Sequence, residues 1–316
     1  MTVNQQAQKI LDAAAKAEAE GMPTPKELGA VALRDVFKKT RGAMNPPAPE
    51  VGLIEDLNIP GPGGEIPARY YRPADADPNE KLPVLMYYHG GGWMVGDIET
   101  HDVICRMAAN RGGFAVINVD YRLAPEHKFP AAVDDTWASV EWALAGADGR
   151  AIDPSQVAVG GDSAGGNLSA VAAIMARDAG ITLAFQALIY PATRMALLTE
   201  SHKKFGKGYL LTAEYQDWVH ECYLRNDADR EDWRASPEMA ADLTGVAPAY
   251  VMTCGFDPLV DEGKAYADRL SAAGVPCTYR CFEGQVHGFI TMGGVIDEAN
   301  EALFEVSDAV AAAFRS

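Results

Sequence analysis

The chain has 316 residues with 48% hydrophobic content, enough to bury the core of one large domain or of a domain that carries an insertion. Its formal net charge of −17 argues against nucleic acid or an anionic membrane surface as a partner, and favours a small neutral or cationic ligand. The five cysteines are scattered without a CxxC pair, so neither a disulfide framework nor a zinc site is indicated. The sequence begins without an apolar signal segment and has no run as long as a membrane span, so we expect a cytoplasmic protein without stable membrane association.

Two helices are predicted at the start of the chain. The first covers about residues 4–20. The second begins at Thr24, because Pro25 in the first turn and Glu27 three positions after the threonine form the pattern of a capped helix start. Prolines within residues 45–49 end this helix and indicate a linker.

Eight apolar or alternating runs then predict strands. The first two are separated by a proline- and glycine-rich turn at residues 60–64, which favours an antiparallel pair. The later runs are separated mostly by helix-length segments, as expected for a parallel sheet covered on both faces. The predicted strands are 51–59, 65–72, 84–88, 114–119, 157–159, 184–190, 249–253 and 277–282, followed by a helix over about 297–314.

One segment interrupts this alternation. Between Pro191 and Pro248 the sequence has no clear strand, yet it holds several tyrosines and tryptophans in helix-like surroundings. We therefore predict an inserted helical subdomain. The corresponding domain division is a helical cap of residues 1–48 and 192–236, and a catalytic domain of residues 49–191 and 237–316.

A GDSAGG motif at residues 161–166 lies between an apolar strand pattern and an alanine-rich helix pattern. A strand that turns sharply into a helix strains the residue at its apex, and side chains two positions before and after it would collide. Gly161 and Gly165 occupy those positions, so Ser163 is the predicted nucleophile. The backbone N–H of Ala164, at the start of the helix, would face a developing oxyanion.

Three glycines follow the predicted strand 84–88, in the sequence HGGGW at residues 89–93. An acyl-transfer site needs backbone N–H donors that no side chain shields. Gly91 and Gly92 are the best candidates, together with Ala164, although a run of glycines can also be an ordinary flexible turn. His89 lies in this loop, and we expect its ring to hold the loop in shape rather than to act as a base.

A serine nucleophile needs a base, and that base needs an acid to orient it. Among six histidines, His287 stands out because it follows the last predicted strand in a tight glycine-containing loop. Asp257 comes just after the preceding strand, and the order serine, aspartate, histidine is that of α/β hydrolases. We favour it over Asp261 and Glu262, which fall in the first turns of the helix that Pro258 begins and would suit the helix dipole there.

Five motifs together resemble bacterial carboxylesterases of the hormone-sensitive-lipase-like family. They are HGGG at 89–92, DYRLAPE at 120–126, GDSAGGN at 161–167, DPLVDE at 257–262 and HGF at 287–289, and the likeness runs from about Val51 onward. It implies an α/β-hydrolase fold: a mostly parallel central sheet, helices on both faces and a helical cap. It also implies a nucleophile, a base, an acid and three oxyanion donors at Ser163, His287, Asp257, Gly91, Gly92 and Ala164. Asp162 matches the GDSAG branch of the family and is not expected to belong to the triad.

The substrate is predicted less sharply. Aromatic and apolar side chains near the motifs are candidates to line the pocket, namely Trp93, Tyr190, Phe205, Tyr209 and Leu210. A roofed site and the resemblance favour short-chain acyl esters. Because acyl-enzyme chemistry is shared, an amidase, lactonase or carbamate hydrolase stays open, and a non-catalytic binding protein is a weaker alternative.

Cofactors and assembly complete the predictions. The sequence lacks a GxGxxG dinucleotide motif, a P-loop and a HExxH motif, so we expect neither a metal nor an organic cofactor. The last predicted strand, near residues 275–282, is a candidate to pair with its copy in a homodimer.

Overall fold

The structure is a computed structural model that describes residues 2–196 and 199–315. The two N-terminal helices are confirmed as α1 (Gln5–Ala19) and α2 (Pro25–Met44). Asn4 caps α1, and Thr24 and Glu27 form the expected reciprocal cap on α2. Gly29, at φ 74°, kinks α2 near its start.

Eight strands form one sheet. They are β1 (Leu53–Gly61), β2 (Gly64–Arg72), β3 (Leu82–Tyr88), β4 (Ala115–Val119), β5 (Ile152–Asp162), β6 (Phe185–Ile189), β7 (Ala249–Phe256) and β8 (Cys277–Val286). Their spatial order is β1-β2-β4-β3-β5-β6-β7-β8. The pairs β1–β2 and β2–β4 are antiparallel and the others are parallel, which confirms the predicted mixed pattern. β5 and β8 are several residues longer than the sequence pattern indicated.

Helices cover both faces of this sheet, as predicted. The helices after α2 are α3 (Ile98–Gly112), α4 (Ala131–Leu144), α5 (Ala164–Asp178), α6 (Glu200–Phe205), α7 (Ala213–Tyr223), α8 (Val260–Ala272) and α9 (Asp297–Ala313), with short 3-10 turns at Ala147–Gly149, Asp227–Glu231, Pro237–Met239 and Phe289–Met292. One apolar core includes residues of α4, α5 and α8, and the other includes residues of α3 and α9. Strands buried on both faces explain the continuous apolar runs in the sequence.

The described part of the segment between Pro191 and Pro248 contains α6, α7 and 3-10 turns but no strand, as the sequence predicted. Helix α7 packs against α2, whereas the start of α1 is fastened elsewhere: the Asn4 backbone N–H donates to Gly284 O of β8 at 2.8 Å. The division into cap and catalytic domain stays a prediction. Within residues 2–196 and 199–315, no helix has both the length and the apolar content needed to cross a membrane.

Candidate active site

Ser163 lies at the apex of the turn from β5 into α5, with φ 55° and ψ −114°. The positive φ is unusual for a residue with a side chain. A Cβ on Gly161 or Gly165 would run into the carbonyl oxygen of Tyr88 on the neighbouring strand β3. The two glycines are therefore required by the close approach of β3 to this turn, which exposes the serine beyond the sheet edge.

Ser163, His287 and Asp257 form a hydrogen-bonded chain at this edge. The Ser163 Oγ lies 2.9 Å from His287 Nε2, and His287 Nδ1 lies 2.7 Å from Asp257 Oδ2. Since a carboxylate only accepts, Nδ1 donates to Asp257, and Nε2 is left to accept the serine proton. The three residues come from the ends of β5, β7 and β8.

Asp257 is fully buried and follows β7. Its other oxygen, Oδ1, accepts the backbone N–H of Leu259 at 2.9 Å, which fixes the carboxylate beneath the imidazole. Helix α8 begins at Val260, so Asp257 lies slightly before the helix cap. The ring of Tyr190 packs on His287 with centroids 4.7 Å apart and restricts its orientation from the other side.

The glycine loop after β3 presents backbone donors to the same edge. Gly91 and Gly92 adopt φ values of 126° and 61°, and both line a cavity that contains Ser163. Within the described residues, their N–H groups have no hydrogen-bond acceptor. Ala164, the third expected donor, is buried at the first position of α5.

His89 holds this loop from below, in line with the sequence expectation. It is fully buried, its Nδ1 lies 2.9 Å from Gly90 O, and its ring stacks on Tyr121 with centroids 4.4 Å apart. The hydroxyl of Tyr121 in turn donates to His89 O at 2.7 Å.

Asp162 joins the loop to the turn that carries Ser163. We call its surroundings the Asp162 cluster, made of Asp162, Tyr87, Gly90, His101 and Tyr190. Its Oδ1 accepts from Gly90 N at 2.9 Å and from the Tyr87 hydroxyl at 3.0 Å, and lies 3.1 Å from His101 Nε2. The Tyr190 hydroxyl donates to Oδ2 at 3.3 Å.

Electrostatics keep Asp162 ionised in this cluster. Burial alone would raise its pKa, but the charge and N–H of His101, with Tyr87 and the Gly90 N–H, lower it to about 2. Sequence reasoning placed Asp162 outside the triad without finding this second role. The GDSAG motif singles out Asp162, but it does not indicate that Tyr87, Gly90 and Tyr190 bond to its carboxylate.

A cavity of about 310 Å³ opens above the serine. Trp93 and Leu210 line it, as the sequence predicted, and Trp93 is held by stacking on Tyr223 at 4.3 Å. Residues of α2 and α7 form much of its wall, including Leu33, Phe37, Arg41, Tyr215, Gln216, Val219 and His220. None of these α2 and α7 residues was among the sequence candidates, because nothing local marks a helix residue as facing a distant turn.

Three predicted lining residues lie elsewhere. Phe205 packs edge-on against Phe256 at 5.6 Å, and Tyr209 stacks on the same ring at 5.4 Å, so both belong to an aromatic cluster rather than to the described cavity wall. Tyr190 is buried below the site, between Asp162 and His287. In this structure the three residues therefore lie outside the described cavity wall, and their role as substrate contacts stays a prediction.

The acidic residues of α8 fasten the inserted segment. Asp261 accepts the backbone N–H of Ser201 at 2.8 Å, and Glu262 accepts that of Thr193 at 2.7 Å. Burial raises the pKa of Glu262 well above its usual range despite these donors, and His202 Nε2 lies 3.5 Å from its second oxygen. The sequence interpretation, a favourable interaction with the helix dipole, was therefore incomplete.

His220 is a buried ring in the cavity wall. Burial and the nearby charge of Arg230 lower its pKa to about 4, so the ring is neutral at neutral pH. No group of three or more histidine, cysteine or acidic side chains suited to a metal ion occurs in the part of the chain that the structure describes.

Comparison with known proteins agrees with this geometry. A family model described as alpha/beta hydrolase fold matches residues 85–291. The chain is 46% identical to a carboxylic ester hydrolase, LipN, of Mycobacterium tuberculosis over 81% of this chain and 71% of the relative. It is 37% identical to an ethyl acetate hydrolase of Pseudomonas putida over 88% of each chain. The solved ester hydrolase EH1AB1 from the Lake Arreo metagenome is 41% identical, with a TM-score of 0.96 over the whole of both chains.

These matches cover the glycine loop, the turn that carries Ser163 and the ends of β7 and β8, where the candidate site lies. The chain therefore belongs to the hormone-sensitive-lipase-like family of carboxylic ester hydrolases within the α/β-hydrolase fold.

Proposed function

We propose that this protein is a serine carboxylesterase that hydrolyses short-chain acyl esters through an acyl-enzyme. The observation that carries the proposal is the continuous hydrogen-bonded chain from Ser163 through His287 to Asp257 at the floor of a cavity. In that arrangement the imidazole can remove the serine proton while the buried carboxylate stabilises the imidazolium that forms.

The first half of the reaction acylates the serine. Ser163 Oγ gives its proton to His287 Nε2 and bonds to the ester carbonyl carbon, whose oxygen becomes negatively charged. The free N–H groups of Gly91 and Gly92, with Ala164, would stabilise that oxygen. Collapse of the intermediate breaks the bond to the alkoxy oxygen, and the alcohol leaves with the proton from His287.

The second half releases the acid. Water takes the place of the alcohol, gives a proton to His287 Nε2 and bonds to the acyl carbon, forming a second oxyanion in the same place. When this intermediate collapses, the bond to Ser163 Oγ breaks and His287 returns the proton to the serine. The site needs no other group for these steps.

Cavity size supports short substrates. A volume of about 310 Å³ is at the lower end of the range for small-molecule sites, and α2 and α7 limit its extension. The name of the Pseudomonas putida relative, an ethyl acetate hydrolase, points to small esters as well.

The remaining predictions concern the cellular setting. We keep the prediction of a small-molecule ester as partner, a cytoplasmic location and no nucleic-acid partner. Homodimerisation through β8 also stays a prediction. It is supported by the position of β8 at one end of the sheet.

The test is a series of p-nitrophenyl esters from acetate to laurate, assayed with the wild type and with Ser163→Ala. We expect kcat/KM to fall with acyl length and Ser163→Ala to lose activity on the order of 10⁶-fold while its thermal unfolding stays close to that of wild type. Ser155→Ala, on the exposed start of β5, is the matched control. Full activity of the Ser163 variant would refute the proposed nucleophile, and faster cleavage of p-nitroanilides than of esters would favour an amidase.

A further inference from the structure

Arg41 places a positive charge in the wall of the candidate active site. It lies in the last turn of α2, and its side chain lines the same cavity as Ser163 and His287. The guanidinium carbon stands 4.9 Å from the centre of the Phe37 ring. Its Nη2 lies 3.1 Å from where a Cβ would be at Gly288, so the glycine after His287 leaves room for it.

This guanidinium has no acidic partner within the described residues. No carboxylate lies within 4.0 Å of it there, and its side chain makes no hydrogen bond to the described chain. The other arginine of the cavity wall, Arg194, lies 3.5 Å from Glu238, and Arg34 on the same helix pairs with Glu126 at 2.6 Å. Unlike Arg194 and Arg34, Arg41 has no acidic partner among the described residues.

The carboxylate in the cavity wall, Asp162, attracts the guanidinium but forms no ion pair with it within 4.0 Å. Asp162 is surrounded by Tyr87, Gly90, His101 and Tyr190, which occupy its oxygens. Burial lowers the pKa of Arg41, but an arginine keeps its charge in proteins because its ordinary pKa exceeds 12. The cavity therefore holds a guanidinium with free donors.

The position of Arg41 is fixed relative to the reacting groups. At the end of α2, the backbone N–H of Gly294 donates to Met44 O at 2.8 Å, which ties the helix to the segment that follows His287. Arg34, two turns earlier, donates to Met94 O at 2.8 Å and ties α2 to the segment after the glycine loop. A charge held between these two attachments can select a substrate rather than only attract it.

We propose that Arg41 binds a carboxylate of the substrate, so that the site takes half-esters of short dicarboxylic acids. The inference rests on the proposed esterase function: the ester group would face Ser163 while the free carboxylate pairs with the guanidinium. A planar guanidinium matches a carboxylate with two parallel hydrogen bonds.

The overall negative charge of the chain does not oppose this local preference. The charge of −17 favours neutral or cationic ligands at long range. At physiological ionic strength, however, charges beyond a screening length of about 8 Å contribute little. Inside the cavity, Asp162 is engaged by Tyr87, Gly90 and Tyr190, whereas the donors of Arg41 have no acceptor among the described residues and can reach a substrate carboxylate.

The test compares two esters that differ mainly in charge. Monoethyl succinate carries a carboxylate, whereas ethyl levulinate has a neutral methyl ketone in its place. Ethanol release gives kcat/KM for each ester with wild type, Arg41→Gln and Arg41→Lys. The quantity compared between the proteins is the ratio of kcat/KM for the acid ester to kcat/KM for the neutral ester. We expect the ratio to fall roughly 10- to 100-fold in Arg41→Gln, mainly through KM, and to be partly kept in Arg41→Lys.

Lys39→Gln is the matched control, since it removes the same charge from an exposed position of the same helix. An unchanged ratio in Arg41→Gln, or an equal fall in Lys39→Gln, overturns the inference. If wild type hydrolyses ethyl levulinate but neither monoethyl succinate nor monoethyl glutarate, the inference fails while the esterase function stands. If neither the neutral ester nor either half-ester is hydrolysed, the proposed function itself fails.

A second measurement does not depend on the folding of any variant. Glutarate dianion should inhibit wild-type hydrolysis of ethyl levulinate competitively, compared with sodium chloride at equal ionic strength. Absence of inhibition at concentrations where monoethyl glutarate saturates the enzyme overturns the inference.

Discussion

Replacing Asp162 with asparagine removes one negative charge from the buried Asp162 cluster while keeping the size of the side chain. Two donors, the Gly90 N–H and the Tyr87 hydroxyl, bond to its Oδ1, and His101 Nε2 lies 3.1 Å from the same oxygen. An amide oxygen can still accept some of these bonds, but it carries no negative charge to interact with the ring of His101. The variant therefore separates the electrostatic role of the carboxylate from its role in packing.

The magnitude follows from the pKa. The value of about 2 in the folded protein, against 3.8 for an ordinary aspartate, corresponds to about 2 kcal/mol of stability. Because the folded pKa is lowered, this contribution is present above pH 3.8 and is lost as the pH falls toward 2. Weakening the hydrogen bonds of buried donors adds a further cost, which is about 1–3 kcal/mol when a buried polar group loses its partner. We expect Asp162→Asn to lower the free energy of unfolding by about 2–5 kcal/mol at pH 7.

Activity should fall as well, because Gly90 N–H donates to Asp162 directly before the candidate oxyanion donors. Loss of one well-placed oxyanion donor costs about 10²–10³ in kcat, and a loosened loop should cost less, about tenfold or more. Denaturant unfolding followed by tryptophan fluorescence measures the first effect. The kcat for p-nitrophenyl butyrate measures the second.

Two controls give the result its meaning. Asp75→Asn makes the same chemical change at an exposed position and should leave both quantities unchanged. The double variant His101→Gln with Asp162→Asn removes both the carboxylate and the ring that faces it, so its stability loss should be smaller than the sum of the losses of the two single variants. If Asp162→Asn unfolds at the same denaturant concentration as wild type and keeps its kcat, the assignment of this cluster as an electrostatic support of the site is wrong.

Two further predictions concern the triad and the cavity wall. Asp257→Asn should lower kcat about 10⁴-fold, because an amide does not stabilise the imidazolium of His287; a loss below tenfold in steady-state assays would contradict the proposed role. His220→Gln should reduce the acid sensitivity of folding. Since burial lowers the pKa of His220 to about 4, its stabilising contribution is full above pH 6.5 and falls by about 2 kcal/mol at pH 5. Denaturant midpoints at pH 7 and pH 5 should therefore differ more for wild type than for the variant.

Much of the site could be predicted from the sequence, because its polar groups follow strands. In a parallel sheet the strand ends meet at one edge, so residues after β5, β7 and β8 must come close together. The role of Gly161 and Gly165 could also be predicted from the sequence, because a sharp strand-to-helix turn leaves no room for a Cβ at these two positions. The order of these motifs along the chain then sufficed to choose Ser163, Asp257 and His287.

The surroundings of these residues were decided by tertiary packing. Phe205 and Tyr209 have the composition of lining residues, yet they pack on Phe256, because several aromatic rings compete for the same apolar space. The sequence did not predict Arg41 as a cavity residue, since a charged residue near the end of a polar helix is usually solvated. Its meeting with the cavity depends on where α2 lies over the sheet.

The sequence by itself indicated which polar residues follow which strands, because strand periodicity and turn residues are local patterns. Only the tertiary structure decided which charges share the cavity. The physical reason is that backbone patterns act over a few residues, whereas Arg41 and Asp162 acquire their roles from neighbours that are remote in the chain.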